Sequence, residues 1–498
     1  MTNGETIRND AAFGIPGLDD ILAGGLERDR LFLLEGNPGT GKTTAAMRFL
    51  MTGVEQGEGC LYITLSETEE ELRATARSHG WSLDGVQLFE LAPPENLLDE
   101  EQQQSLLYSS DLELGETTRI ILEAVEKAQP HRVVIDSLSE IRLLAQGSLR
   151  YRRQVLALKH YFARRGVTVL LLDDLTTDTN DKTVHSVTHG VIQLEELLPE
   201  YGAERRRVRV MKYRGRRFRG GYHDFTIKTG GLEVYPRIVA LEHRTAFDRE
   251  PMSSGVPELD ALLGGGVERG SSALILGPAG TGKSLFSISF LVAALKRGEK
   301  AAMFVFDEEL GLLFDRLKSV GVDLEAWIGK GALVVEQVDA AELSPGEFSA
   351  RVRTCVADRG IKTVVIDSLN GYQAAIPQEQ FLVLHIHELL QYLNRQGAST
   401  YLTVAQHGLV GDMKAPVDVT YLADTVILLR YFEAAGLVRR AISVIKKRAG
   451  THEKTIREFD VGPEGLTVGQ PLVGFQGVLR GVPDFVGQAG KLMGEKPE

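Results

Sequence analysis

The chain is written twice, and this sets the architecture before any residue chemistry is considered. The stretch FGIPGLDDILAGGLER at 13–28 returns 241 residues later as SGVPELDALLGGGVER at 254–269. The same spacing holds without a gap through GNPGTGKT, beginning at Gly36, and GPAGTGKS, beginning at Gly277. Further on, RVVIDSL ending at Leu138 matches TVVIDSL ending at Leu369, and MKYRG from Met211 matches KKRA from Lys446 more loosely, so the register slips only in the loops. Self-similarity on this scale decides the fold. Two homologous domains are expected, at 1–240 and 241–474, followed by a Gly- and Val-rich tail at 475–498 read as flexible. A length of 498 residues agrees, being more than one hydrophobic core usually supports.

Each repeat alternates apolar strand-like runs with helix-length segments. Leu31 to Leu34 and Ala273 to Leu276 lead into the glycine-rich loops, and Thr44 to Met51 and Leu285 to Leu295 follow as helical stretches. Further strand-like runs occur at Leu61 to Leu65, Val133 to Ile135 and Val167 to Leu172. This pattern predicts α/β domains, each a mostly parallel sheet with helices on both faces.

The glycine-rich octapeptides fit the pattern G-x-x-x-x-G-K-[ST]. Its glycines let backbone N–H groups turn inward around phosphate oxygens at a helix N-terminus, where the helix dipole favours negative charge. The nucleotide-binding candidates are Gly36, Asn37, Pro38, Gly39, Thr40, Gly41, Lys42, Thr43 and Thr44 in the first repeat. In the second they are Gly277, Pro278, Ala279, Gly280, Thr281, Gly282, Lys283, Ser284 and Leu285. Lys42 and Lys283 are placed to reach the β- and γ-phosphates of ATP, and Thr43 and Ser284 to offer a hydroxyl to Mg²⁺. Asp136 and Asp367, each ending an apolar V-V-I-D run, are the further metal-holding candidates. One such Asp alone would more often be a turn or a helix cap, but its recurrence about 90 residues after each loop favours the metal role.

Hydrolysis needs a base or an acceptor that orients water, and carboxylates at the rim of the sheet beside the γ-phosphate are the natural candidates. They are Glu67 in LSETEEEL and Asp307 and Glu308 in FDEEL, with Glu67 and Glu308 at the repeat spacing. Glu69 to Glu71 read instead as a solvated first helical turn.

Composition narrows the class. Hydrophobic residues at 43% and charged residues at 25% are ordinary for a globular enzyme. With 56 Lys and Arg against 68 Asp and Glu the net charge is −12, which disfavours broad adhesion to nucleic acid or anionic membrane. Cys60 and Cys355, one per half, make a disulfide framework improbable and suit a reducing cytoplasm. Neither a signal-peptide core nor an apolar run near 20 residues is found, so a cytoplasmic, non-membrane protein is expected. The most basic stretch, ERRRVRVMKYRGRRFRGG at 204–221, has three readings: a solvated strand face, a nucleic-acid surface built with Tyr213 and Phe218, or cations that stabilise phosphate in a neighbouring subunit. Only its K-x-R element recurs in the second repeat, as Lys446 and Arg448.

The paired P-loops, the carboxylates after the next strand, the K-x-R pairs and the duplicated G-[IV]-P-x-L-D opening strongly resemble the KaiC family, circadian-clock ATPases and autokinases with relatives in other bacteria and archaea. The resemblance runs from about Phe13 to Phe475. It implies a RecA-like fold in each repeat and a two-tiered homohexamer with ATP between subunits. Lys212 and Arg214 in one tier and Lys446 and Arg448 in the other match residues that reach the neighbour's γ-phosphate. It also implies a first domain that is chiefly a slow ATPase, a second that phosphorylates its own Ser/Thr hydroxyls, and a regulatory protein at the tail or ring face. The family's clock members carry adjacent glutamates where this chain has Ser66-Glu67 and Asp307-Glu308. The family's phosphorylated Ser-Thr pair falls on Thr420-Tyr421, of which Thr420 is the candidate phosphosite, unless it merely begins a strand. In the first repeat Val187-Thr188 takes the similar place, with no phosphorylation expected. Two other functions share this core: a hexameric DNA-dependent ATPase of the recombinase or helicase type, and a nucleotide-sensing scaffold with almost no turnover.

Overall fold

Strands buried on both faces must be apolar throughout, and the sequence supplies them. The parallel strands of the first unit are β1 (Leu31–Gly36), β2 (Cys60–Thr64), β3 (Val86–Glu90), β4 (Arg132–Asp136), β5 (Thr168–Asp174) and β6 (Gly190–Leu197), and the central ones meet this requirement. Every residue of β1, β2 and β4 is buried, as expected where helices cover both faces of a parallel sheet. Three more strands, β7 (Arg205–Tyr213), β8 (His223–Lys228) and β9 (Gly231–Tyr235), complete a nine-stranded sheet in the order β3-β2-β4-β5-β1-β6-β7-β8-β9. The first six strands are parallel and the last three antiparallel.

Side chains on β1 alternate between two cores. Phe32 and Leu34 join Phe49 and Leu50 of the helix Lys42–Glu55, whereas Leu31 and Leu33 join Tyr151, Leu158 and Phe162 of the helix Ser148–Arg165. The connection that follows β1 therefore lies on one face and the one that precedes β5 on the other. This opens a crevice at the carboxyl ends of the strands, where ligands of such sheets bind.

The structure described here is a computed structural model covering residues 10–91, 106–175, 183–199, 202–376, 379–406, 419–434, 436–463, 465–480 and 484–485. Contacts divide the chain between Arg237 and Ile238, three residues before the break expected from the repeat. Ile238 is buried in the core of the second unit.

The second unit opens with a small antiparallel pair, β10 (Pro251–Met252) and β11 (Val267–Glu268). Then come β12 (Ser272–Gly277), β13 (Ala301–Val305), β14 (Leu333–Gln337), β15 (Thr363–Asp367), β16 (Ser399–Ala405), β17 (Thr425–Ala434), β18 (Leu437–Lys447), β19 (Ile456–Gly462) and β20 (Gly465–Pro471). Their order, β14-β13-β15-β16-β12-β17-β18-β19-β20, repeats the first sheet strand for strand. The segment expected to be flexible from 475 begins ordered: Val478 is buried against Phe432, Ala434 and Ala441, with Phe475 packed beside it. Residues 481–483 and 486–498 of the tail lie outside the described residues. No described helix is long and apolar enough to cross a membrane.

A buried histidine makes the first unit sensitive to acid. His223 Nδ1 accepts the Arg237 N–H at 2.9 Å while Nε2 donates to the Arg219 carbonyl at 3.0 Å, so the neutral ring fits and the imidazolium does not. Burial pushes its pKa down to about 4 from 6.5. With the folded value depressed, the stabilisation is complete above the unfolded pKa and is lost as pH falls from about 6.5 towards 4, amounting to about 2 kcal/mol at pH 5. Thermal unfolding followed at pH 7.5 and pH 5 should show this loss, and His223→Gln should shed part of it.

Candidate active sites

Each P-loop sits at the carboxyl end of the central strand, β1 or β12, and passes into a 14-residue helix, Lys42–Glu55 or Lys283–Lys296. The turn into the helix needs a left-handed residue. Gly41 and Gly282 provide it, at φ 89° and 98°. A Cβ on Gly36 would lie 2.7 Å from the Leu194 carbonyl, so the first loop glycine is required by close approach to β6. Thr40 Oγ1 donates to the Asn37 carbonyl at 2.7 Å and Thr281 Oγ1 to that of Pro278 at 2.8 Å, closing both loops in the same way. Thr44 and Leu285, read as the last residues of each nucleotide site, are buried in the first turns of these helices.

The two lysines turn back into their own loops. Lys42 Nζ donates to the carbonyls of Gly36 at 2.9 Å and Asn37 at 3.0 Å and pairs with Asp174 at 2.7 Å. Lys283 Nζ donates to the Pro278 carbonyl at 2.7 Å, and burial lowers its pKa. Strand register puts Ala405 where the first unit has Asp174, because Gly36 pairs with Asp174 and Gly277 with Ala405. Among the described residues the extra carboxylate belongs to the first unit.

Asp136 and Asp367 end β4 and β15 next to the loops, and the peptide bond after each is cis. Asp136 is buried, and its Oδ2 accepts hydrogen bonds from Tyr62 at 2.5 Å and from Thr43 at 3.3 Å. Burial raises its pKa despite these donors and the nearby Lys42. A hydroxyl and a carboxylate meeting in this way are hard oxygen donors beside a phosphate cradle, a set that suits Mg²⁺. Asp367 Oδ1 instead accepts from Thr403.

The expected water-orienting carboxylates differ between units. Glu67 follows β2, and its Oε2 is buried without a partner among the described residues. Burial raises its pKa, with the charges of Asp136 and Glu71 adding to the effect. Glu69 to Glu71 open the helix Glu69–Ser78 with a capping box between Thr68 and Glu71, the structural role read for them. Asp307 accepts from Ser368, next to Asp367, and so lies beside the metal-holding candidate. Glu308 does not: it forms a two-pronged pair, at 3.1 and 2.6 Å, with Arg316 of the helix Leu310–Lys318 that follows it. Thr75 stands at the repeat-related position in the first unit, so Glu67 has no such competitor.

The K-x-R pairs grip the turn ahead of β6 and β17 in their own chain. Lys212 Nζ donates to the carbonyls of His185 and Thr188, and Arg214 to that of Ser186. Lys446 donates to the carbonyls of Thr420 and Ala423, and Arg448 to that of Tyr421. Burial and the neighbouring Arg214 and Lys159 push Lys212 down to about 8. These matching bonds align His185-Ser186 with Thr420-Tyr421, which corrects the assignment of Val187-Thr188 by two residues. His185 and Thr420 stand at the same distance ahead of the corresponding strand residues Gly190 and Thr425.

Much of the basic stretch is paired with carboxylates within the first unit. In the antiparallel register of β6 and β7, Glu195 faces Arg207 and Glu196 faces Arg206, and both pairs close at 2.7 Å. Arg216 pairs with Asp10 at 2.6 Å, and the Arg207 guanidinium lies 3.8 Å from the Tyr222 ring centre. Arg206, Arg207 and Arg209, the last 3.5 Å from Glu195, therefore form a paired strand face. Sequence reasoning missed Tyr62, Asp174 and an adjoining group in which His185 Nε2 meets the buried Glu35 at 2.7 Å and Arg142 pairs with Asp173. The acidic end of LLLDD was the available signal.

Comparison with known proteins agrees with this geometry. The model of the KaiC ATPase family matches residues 11–238 and again 252–473. The chain is similar to circadian clock protein KaiC3 of Synechocystis sp., 28% identical over 96% of this chain and 95% of the relative. It is equally similar to the circadian clock oscillator protein KaiC of Acaryochloris marina, 28% identical over 95% and 91%. Circadian clock protein KaiC2 of Synechocystis sp. is 28% identical over 94% of this chain and 83% of its own length.

Proposed function

Because the chain belongs to the KaiC family of ATPases, we propose that it is a cytoplasmic homohexamer that hydrolyses Mg-ATP in both units and phosphorylates itself on Thr420 in the second. The observation that carries the proposal is the meeting of P-loop and strand-end aspartate in the first unit, where the Thr43 hydroxyl lies 3.3 Å from Asp136, with the charge of Asp367 acting on Lys283 of the second loop. Lys42 and Lys283 leave their loop carbonyls to neutralise the β- and γ-phosphates. Thr43 with Asp136, and Ser284 with Asp367, hold Mg²⁺, which when bound offsets charge on the phosphate oxygens.

In the first unit Glu67 orients water and accepts its proton. Its raised basicity and a buried Oε2 without a partner among the described residues suit that task. In the second unit Asp307 takes this part, while Glu308 remains with Arg316. The Thr420 Oγ–P bond forms as the bond from the γ-phosphorus to the bridging oxygen breaks; ADP leaves and the hydroxyl proton passes to the carboxylate. Lys446 and Arg448 link the two ends of this reaction, fixing the backbone of the acceptor turn and reaching the phosphate of the adjacent subunit. A regulatory protein acts at the tail or ring face.

Phosphate release with Mg²⁺ and with EDTA, with and without single-stranded DNA, tests this reading. We expect Mg²⁺-dependent release that DNA does not change, and a loss of about 10²-fold or more of the first-unit share in Glu67→Gln. Salt-sensitive stimulation by DNA would identify a recombinase-type ATPase instead. Nucleotide binding without release would identify a scaffold.

A further inference from the structure

The two units hold their strand-end aspartates by different donors. In the first, the donor is Tyr62 on β2, 1% exposed, whose hydroxyl lies 2.5 Å from Asp136 Oδ2. Tyr62 pairs with Val134 across β2 and β4, and in the second sheet Met303 pairs with Val365 at the same place. Methionine has no hydroxyl to give. Thr403 on β16 supplies the donor there, to Asp367 Oδ1. Thr403 pairs with Ile275, and Leu172 pairs with Leu34 at the corresponding place in the first sheet. Each unit thus carries one donor, from opposite neighbours of the aspartate strand, and lacks the other.

Burying a phenol hydroxyl without a partner costs more than burying a phenylalanine ring, so its presence in the core calls for a reason. We propose that Tyr62 is a positioning residue for the divalent cation of the first unit, locking the rotation of the Asp136 carboxylate that holds it, and that Thr403 performs this task in the second. The inference rests on the reading of Asp136 as a metal-holding residue. Because the two donors approach from opposite sides and reach different oxygens, the units differ in their requirement for cation, and one can be changed without the other.

The test uses the full-length protein carrying Lys283→Ala, so that nucleotide binding reports the first unit, with fluorescent ADP as the probe across a Mg²⁺ titration. Tyr62→Phe should raise the Mg²⁺ concentration for half of the Mg²⁺-dependent gain in ADP affinity about tenfold, the scale on which an outer partner tunes a metal site. ADP affinity in EDTA should not change. Adding Leu172→Thr, which supplies the second unit's donor, should recover most of the loss. An equal fall of affinity in EDTA, or an unchanged Mg²⁺ requirement in Tyr62→Phe when Asp136→Asn raises it, would overturn the positioning role. No effect of Asp136→Asn would remove the metal reading itself. Thr403→Val in a Lys42→Ala background gives the same test independently of Tyr62 folding, and an unchanged Mg²⁺ requirement there would overturn the second half of the proposal.

Discussion

Lys42→Ala should lower ATP turnover in the first unit by about 10²- to 10³-fold, the usual cost of removing a group that stabilises transition-state charge. Lys283→Ala should do the same in the second unit, and the double variant should retain almost no hydrolysis. Both side chains are nearly enclosed by their loops, so alanine removes the cation without disturbing a packed core. The first unit has an added step: Lys42 must leave Asp174, 2.7 Å away, before it can meet a phosphate, whereas the hydrogen bond of Lys283 among the described residues is to a carbonyl. Asp174→Asn should therefore act in the opposite sense, tightening nucleotide binding by the first unit several-fold. Phosphate release from the single variants, with the other unit's lysine replaced in turn, separates the two contributions. Near-normal turnover in Lys42→Ala would mean that the phosphates of the first unit do not sit in this loop.

The second large effect concerns stability. Arg132 opens β4 with no exposed surface, its guanidinium bonded to Glu58 at 2.5 Å, to Gln56 at 2.8 Å and to the carbonyls of Ala12 at 2.7 Å and Phe49 at 2.9 Å. It also lies 4.8 Å from the Phe49 ring centre. Arg132→Met fills much of the volume but leaves two carbonyls without their donor and Glu58 with Arg28 as its remaining cation. Breaking a buried pair from one side costs about 3–5 kcal/mol. In a unit of this size that corresponds to a fall of roughly 10 °C in the unfolding midpoint. Thr363 takes this position in the second unit, whose unfolding should not move. Calorimetry that resolves the units checks both statements, and a shift below about 2 °C would show that the network contributes little.

Features contiguous in the chain were legible in the sequence. The P-loops, their helices and the aspartates at the ends of β4 and β15 follow from glycine spacing, apolar runs and the repeat itself. Partners created by sheet order were not. Because β4 lies between β2 and β5, Tyr62 reaches Asp136 across 74 residues, and because β5 lies beside β1, Asp174 reaches Lys42. Glu308 shows the opposite failure: its spacing matches Glu67, but a side chain two helical turns on, Arg316 rather than Thr75, decides where the carboxylate points. The basic stretch looked open to nucleic acid because its neutralising glutamates belong to the preceding strand and meet it only through antiparallel register.

The central claim is that the second unit transfers phosphate to its own Thr420. Incubating the purified protein with γ-labelled ATP and Mg²⁺, then mapping phosphorylated residues by mass spectrometry, tests it most directly. The account predicts label on Thr420, lost in Thr420→Ala while the first unit continues to release phosphate. Free phosphate with no labelled protein, or label that persists in Thr420→Ala, would contradict it.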